Sequence, residues 1–354
     1  MKRTDKAALG SFVLIFLAIL VPMIALILWM DPFFQYHKPL PGQALILRDA
    51  VYQTPGAARN LEYTDVIVGS SMTENFHTSW FDDEMGWHTL KLSYSGARTD
   101  DLKAILEQVF SGDRKVDHVL MDLNSYQFLV PAWTAYTERP GYLYDDSCLN
   151  DVPYLLNRDA LHYSISNLAN YLQGETDNLD CAYCWDDTVA FGEEIAKKDW
   201  APRRQKYLSQ TVTNKPQNSI PATVTENLDN LTPIIGAHPE TEFLLYLPPY
   251  SMLYWEEATY SEMGLENYIA IYSKVIGELL AYPNVTLYYY QYEPEIITNL
   301  DNYLDSCHHT PQINRYLFEQ IKAEEKRLTV DNYQEALQEM YLFARDYDYS
   351  RYWK

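Results

Sequence analysis

Residues 64–75 read Thr-Asp-Val-Ile-Val-Gly-Ser-Ser-Met-Thr-Glu-Asn, and the fold of the chain turns on how they are taken. The apolar run 64–69 is short and stopped by small residues, as in a buried strand. Ser70 and Ser71 then sit at the carboxyl edge of that strand, where open α/β sheets bind their ligands. A helix is expected to follow. A serine so placed can act as a nucleophile, with the N–H groups of the turn holding an oxyanion. The same Gly-Ser-Ser can equally be a plain helix N-cap, so these residues alone leave the choice open.

Further strands are expected at 87–93, 118–123, 242–247 and 285–291, with helices near 100–110, 221–237, 256–281 and 311–328. Strands alternating with helices point to an α/β sandwich with a mainly parallel sheet of five strands. Pro248-Pro249-Tyr250-Ser251 closes the fourth strand, either as a terminator or as part of the pocket rim. Residues 125 to about 220 carry weaker order, and a structureless loop of that length is improbable in a compact domain. They are expected to be a helical insertion or cap. The expected organisation is a stalk at 31–60, one domain at 61–328 interrupted by that insertion, and a helical tail at 329–354. In the tail, Tyr333, Leu337, Met340, Tyr341 and Ala344 share one face.

Residues 8–30 contain no charged side chain. At about 1.5 Å per residue such a helix is roughly 34 Å long, enough to cross a hydrocarbon core of about 30 Å. Pro22 inside it is tolerated better in a membrane than in water. Lys2, Arg3 and Lys6 precede it, so the positive-inside rule places residues 1–7 in the cytoplasm and the rest outside. A cleaved signal peptide competes with this reading, but its apolar region usually runs about 7–15 residues to a small-x-small site. Here the run is longer and ends Leu28-Trp29-Met30-Asp31-Pro32. The expectation is therefore a single-pass, uncleaved anchor in the cell membrane.

Cys148, Cys181, Cys184 and Cys307 all follow the span. An oxidising exterior permits a local or crossed disulfide, with free buried thiols as the alternative. Cys181-Ala-Tyr-Cys184 is only half of a zinc site, and no second pair stands at suitable spacing. Near the end of the α/β alternation comes Asp305-Ser306-Cys307-His308-His309. Asp and His three apart can present both side chains to one side of a turn. A nucleophilic Ser needs a His within hydrogen-bond reach, and the His gains from a carboxylate that fixes its tautomer. His309 competes with His308 for the base role, although the Asp-x-x-His spacing favours His308. Residues 69–73 do not match the Gly-x-Ser-x-Gly of α/β-hydrolases. Asp122, at the end of the third strand, either faces the site or caps a loop.

Gly69-Ser70-Ser71 after the first strand and Asp305-x-x-His308 before a C-terminal helix resemble the first and last blocks of the SGNH (GDSL-like) hydrolase and acyltransferase superfamily. The resemblance spans roughly residues 60–328. It implies a flavodoxin-like, three-layer α/β/α sandwich with Ser71 as nucleophile, His308 as general base and Asp305 as its orienting carboxylate. It also implies an oxyanion hole from the N–H of Ser71, from Gly96 in Ser93-Tyr94-Ser95-Gly96, and from Asn124. The third block departs from the pattern, because Met121-Asp122-Leu123-Asn124 has no Gly two residues before Asn124. No cofactor and no metal is asked for.

The implied chemistry is acyl transfer from an ester to water or to another hydroxyl. Single-span members of the superfamily are similar in layout and act on O-acyl groups of cell-envelope polysaccharide beside a multi-pass membrane acyltransferase. The alternative expectation is a non-catalytic surface protein of the same fold that binds glycan or such a partner. Composition constrains the substrate further. With 27 Lys+Arg against 49 Asp+Glu the chain carries −22, which argues against binding nucleic acid. Residues 1–7 hold +2 of that total, leaving −24 for everything after them. Such a domain repels a polyanion unless cations or a local basic patch intervene, which favours a neutral glycan. The 31 tyrosines suit sugar stacking, yet no single one is assigned a role.

Overall fold

The computed structural model describes residues 3–175, 179–185, 188–209 and 220–354. These divide into two compact units, one formed by Met1–Glu62 with Arg139–Leu179 and the other by Tyr63–Glu138 with Asp180–Lys354.

The first unit is helical. Its longest element, Arg3–Met30, contains a stretch at Lys6–Met30 that is long and apolar enough to cross a membrane. The C-terminal end of this helix enters a small core of Ile27, Phe33, Leu143, Tyr154 and Ala160. Phe33 stacks on Tyr154 at 5.0 Å, and the Tyr154 hydroxyl donates to Asp31 Oδ1 at 2.8 Å. Asp31 Oδ2 accepts the Tyr36 N–H at 2.7 Å, so one buried carboxylate organises the turn beneath the helix. Residues 31–60, read from sequence as a stalk, include the Ala50–Asn60 helix, whose middle is buried. The 125–220 stretch contributes the Arg158–Gln173 helix to this unit and the Glu193–Ser209 helix to the other.

The second unit is built on a six-stranded sheet. Its strands are β1 (Asp65–Val68), β2 (Thr89–Lys91), β3 (His118–Asp122), β4 (Glu242–Leu247), β5 (Val285–Tyr289) and β6 (Arg327–Leu328). They lie in the order β2-β1-β3-β4-β5-β6. The first five are parallel, with Val66 beside Val119, Val119 beside Phe243 and Phe243 beside Val285. Continuous burial along β1 explains its run of apolar residues without alternation, the pattern of a parallel strand covered on both faces. The strand order reverses between β1 and β3, which makes their carboxyl ends the place where loops diverge and a cleft opens.

Two expectations need correction. The sheet has a sixth strand, β6, antiparallel to β5, inside the stretch 311–328 read as one helix. The helix ends at Lys322, and Glu324 and Lys326 take φ of 55° and 60°, which turns the chain back. A two-residue strand leaves no periodicity to read. The stretch 256–281 is likewise two helices, Met252–Tyr260 and Leu265–Leu279, separated at Ser261 and Gly264. In the tail, Tyr333–Asp346 is helical and buries Leu337, Met340 and Ala344.

Alternate strand residues Ile67, Leu120, Leu244, Tyr246 and Tyr288 meet Phe76, Phe81, Leu317 and Phe318 in one core. Phe318 lies edge-on to Phe81 at 4.9 Å and carries the Arg315 guanidinium over its ring at 4.8 Å. Replacing Phe318 by Ala leaves a cavity that a sheet fixed on its other side cannot close. The expected loss is about 3–5 kcal/mol for the second unit, read from the shift of its urea unfolding midpoint.

Candidate active site

Gly69, directly after β1, has no room for a side chain, since an ideal Cβ there meets Asp122 Oδ1 at 2.1 Å. The close approach has a purpose. Asp122 accepts the Ser70 N–H at 2.7 Å and the Ser70 hydroxyl at 2.8 Å, tying the β1 turn to the end of β3. Asp122 therefore braces the loop. Burial pushes its carboxyl up, against the hydrogen bonds from Ser70 and Asn124 that pull it down. Ser70 is the N-cap of the Ser71–Glu74 helix, its Oγ accepting the Met72 N–H. With Ser70 filling the capping role, Ser71 keeps its hydroxyl for other work.

Ser71 Oγ lies 2.7 Å from His308 Nε2, and His308 Nδ1 lies 2.6 Å from Asp305 Oδ2. Asp305 Oδ1 accepts the N–H groups of Cys307 at 2.8 Å and His308 at 2.7 Å, so the Asp-x-x-His segment closes on itself. With a proton on Nδ1 directed at Asp305, Nε2 is left to accept from Ser71. For His308, burial is the largest influence and pushes the pKa down, but the hydrogen bond and charge of Asp305 outweigh it and the net shift is upward. For Asp305, burial pushes up and His308 more than reverses it. His309 faces elsewhere. It is fully buried, pulled down to about 4 by that burial, with Nδ1 near the Thr310 carbonyl.

The expected oxyanion donors separate into two kinds. The backbone N–H groups of Ser71 and Gly96 have no acceptor among the described residues. Gly96 sits at φ +73°, and an ideal Cβ on it meets the Tyr136 ring at 2.6 Å, so glycine is required twice over. Asn124 is already committed. Its amide donates to Ser70 Oγ at 3.0 Å and to Asp122, while its carbonyl accepts from the Tyr250 hydroxyl. It can join an oxyanion hole only by releasing one of those partners. Ser71, Gly96, Asn124, Asp305 and His308 share a cavity of about 460 Å³.

Several neighbours escaped the sequence reading. Trp185 sets its indole edge-on to the His308 ring, 5.6 Å between centroids, and donates Nε1–H to the Ser71 carbonyl at 3.3 Å. Its own N–H donates to Asn75 Oδ1 at 3.0 Å. Lys91, buried in β2, donates to the carbonyls of Glu74 and Phe76 and so holds the end of the Ser71–Glu74 helix. Ser251 donates its hydroxyl to the Ser306 carbonyl at 2.9 Å, and Tyr303 donates to the Pro249 carbonyl at 2.8 Å. The 248–251 segment thus supports the Asp305–His308 loop from behind. Cys181 and Cys184 form a disulfide, and Cys148 and Cys307 are free. His77 Nε2 lies 3.7 Å from Cys181 Sγ, but sulfurs joined to each other are not thiolate ligands.

No family model matches the chain, and no curated protein matches it. A solved structure from Streptococcus pneumonia, named provisionally as a platelet activating factor, is similar at 13% identity and a TM-score of 0.38. The match covers 78% of this chain and 89% of that one, a likeness too distant to bear on fold or chemistry.

The upward shift at His308 has a measurable consequence. Its imidazole is expected to titrate above the ordinary value of about 6.5 by NMR, and Asp305→Asn to bring the midpoint down. An unchanged midpoint in that variant would mean that the carboxylate does not act on the ring.

Proposed function

We propose that the chain is a membrane-anchored serine acyltransferase or esterase of SGNH type, acting on O-acyl groups of cell-envelope polysaccharide. The observation that carries this reading is the continuous run of contacts from Ser71 Oγ through His308 to Asp305, beside two backbone N–H donors that have no acceptor among the described residues. In the same reading the sheet is the middle of a three-layer α/β/α sandwich. Residues 8–30 anchor the chain in the bilayer with residues 1–7 in the cytoplasm and the catalytic part outside. A multi-pass membrane acyltransferase is its proposed partner and source of acyl groups.

The geometry supports the following chemistry. Ser71 Oγ attacks the ester carbonyl carbon while its proton passes to His308 Nε2. Asp305 holds the imidazolium that forms. The carbonyl oxygen takes up negative charge between the N–H groups of Ser71 and Gly96. Collapse expels the alcohol, which takes the proton from Nε2 and leaves Ser71 acylated. Water or an acceptor hydroxyl then attacks, giving its proton to Nε2, and the acyl group leaves as acid or as a new ester while Ser71 Oγ takes that proton back from Nε2. Transfer and hydrolysis share every residue named and differ only in which hydroxyl reaches the acyl-enzyme.

Full-length protein in detergent micelles is expected to hydrolyse 4-nitrophenyl acetate, and Ser71→Ala to lose roughly 10³-fold or more of kcat while keeping its fold. The wild-type rate is expected to rise with pH through a midpoint above about 6.5, because His308 must be neutral to accept the proton. Equal turnover by both proteins would remove Ser71 from the mechanism. An inert wild type that still retains a glycan or a membrane partner would leave the non-catalytic reading.

A further inference from the structure

One of the two arginines on the cavity wall qualifies the preference for a neutral glycan. Two arginines, Arg98 and Arg203, line the cavity, and Asp305 is its one acidic lining residue among those described. The arginines differ in what they already hold. Arg203 is 2.7 Å from Asp199 and 3.6 Å from Glu257, and its guanidinium lies 5.1 Å from the Trp200 ring. Its charge is answered within the protein. Arg98 is half-buried, and among the described residues no carboxylate comes within 4.0 Å of its guanidinium. The guanidinium lies 5.9 Å from the centre of the Tyr136 ring.

An unanswered cation is unusual here, because the chain holds 49 acidic residues to 27 Lys and Arg. Partial burial also weakens the hydration of a guanidinium, a cost recovered when an anion binds. The position of Arg98 is held as well. Asp101, fully buried, accepts the backbone N–H of Arg98 at 2.9 Å and that of Tyr136 at 3.0 Å through the same oxygen. One carboxylate thereby pins both residues to the wall. Tyr136 lies directly over Gly96, and 59% of it remains exposed. An aromatic face, the Arg98 guanidinium and Ser71 therefore border one cavity.

We infer that this wall is a subsite for an acidic saccharide, with a sugar ring on Tyr136 and its carboxylate or phosphate on Arg98. The inference rests on the proposed function and narrows its substrate class. Guanidinium pairs with either anion through parallel N–H donors, which a neutral sugar cannot match. The repulsion of the acidic exterior does not forbid this. At physiological salt, charges more than about 8 Å apart are largely screened, so a contact at Arg98 is felt far more than the distant surface.

The test uses the full chain in detergent micelles carrying Ser71→Ala, so that binding is measured apart from turnover. Calorimetric titrations compare trigalacturonate, a 6-phosphorylated trigalactose and neutral trigalactose. At least one acidic trisaccharide is expected to bind tenfold or more tighter than the neutral one, and the tighter acid identifies the anion. Adding Arg98→Gln is expected to erase that ratio, Arg98→Lys to restore part of it, and Tyr136→Ala to weaken acidic and neutral ligands alike. Near-UV circular dichroism checks that each variant is folded. Equal binding of acidic and neutral ligands, an unchanged ratio in Arg98→Gln, or no binding of either acid overturns the inference. Ester hydrolysis by the wild type is assayed in parallel. Arg98-dependent binding without hydrolysis would sink the catalytic reading and keep the subsite, whereas hydrolysis without an acid preference would do the reverse.

Discussion

Ser71 and His308 stand 237 positions apart in the chain, yet a hydroxyl and a ring nitrogen meet at 2.7 Å. A contact of that separation has to be delivered by rigid elements, because a loose loop would spread it over several ångströms. The sheet supplies one side. Gly69 lets the Asp122 carboxylate close on the Ser70 backbone, which locks the β1 turn to the end of β3. Asp305 supplies the other by folding its own segment around Oδ1. The same carboxylate uses Oδ2 to orient His308, so position and protonation are set by one group.

Around that contact, several polar groups divide the work between them. Ser70 caps the helix and Ser71 is spared. Asp122 and Asn124 spend their hydrogen bonds on the loop, and Lys91 closes the far end of the short helix. Among the described residues the N–H groups of Ser71 and Gly96 have no acceptor, which leaves them free for the charge that develops in the proposed acyl transfer. Buried networks of this kind stiffen a site because a partly satisfied member is costly. Trp185, which follows the Cys181–Cys184 disulfide in the chain, is held by Asn75 and set against the His308 ring.

Much of this was legible from residues alone. Apolar runs marked β1, β3, β4 and β5, because buried parallel strands have little polar to show, whereas β2 carries the buried Lys91. Ser71, Asp305 and His308 stood out because each carries chemistry at a strand end or in a self-closing turn. What stayed hidden had physical reasons. Strand β6 spans two residues and follows two left-handed turns, too short for any period. The commitment of Asn124 to Ser70 and Tyr250, and the reach of Trp185 to His308, are long-range pairings with no local signature. The splitting of residues 125–220 between two units is likewise a matter of packing that sequence order conceals.

The central claim is that Ser71 is an activated nucleophile, and trapping tests it most directly. Full-length protein is treated with a fluorophosphonate, which labels a serine only where a base has made its oxygen reactive, and the modified peptide is located by mass spectrometry. The account predicts one adduct, on Ser71, absent from His308→Ala. An adduct on Ser70 or Ser306, or none at all, would contradict it.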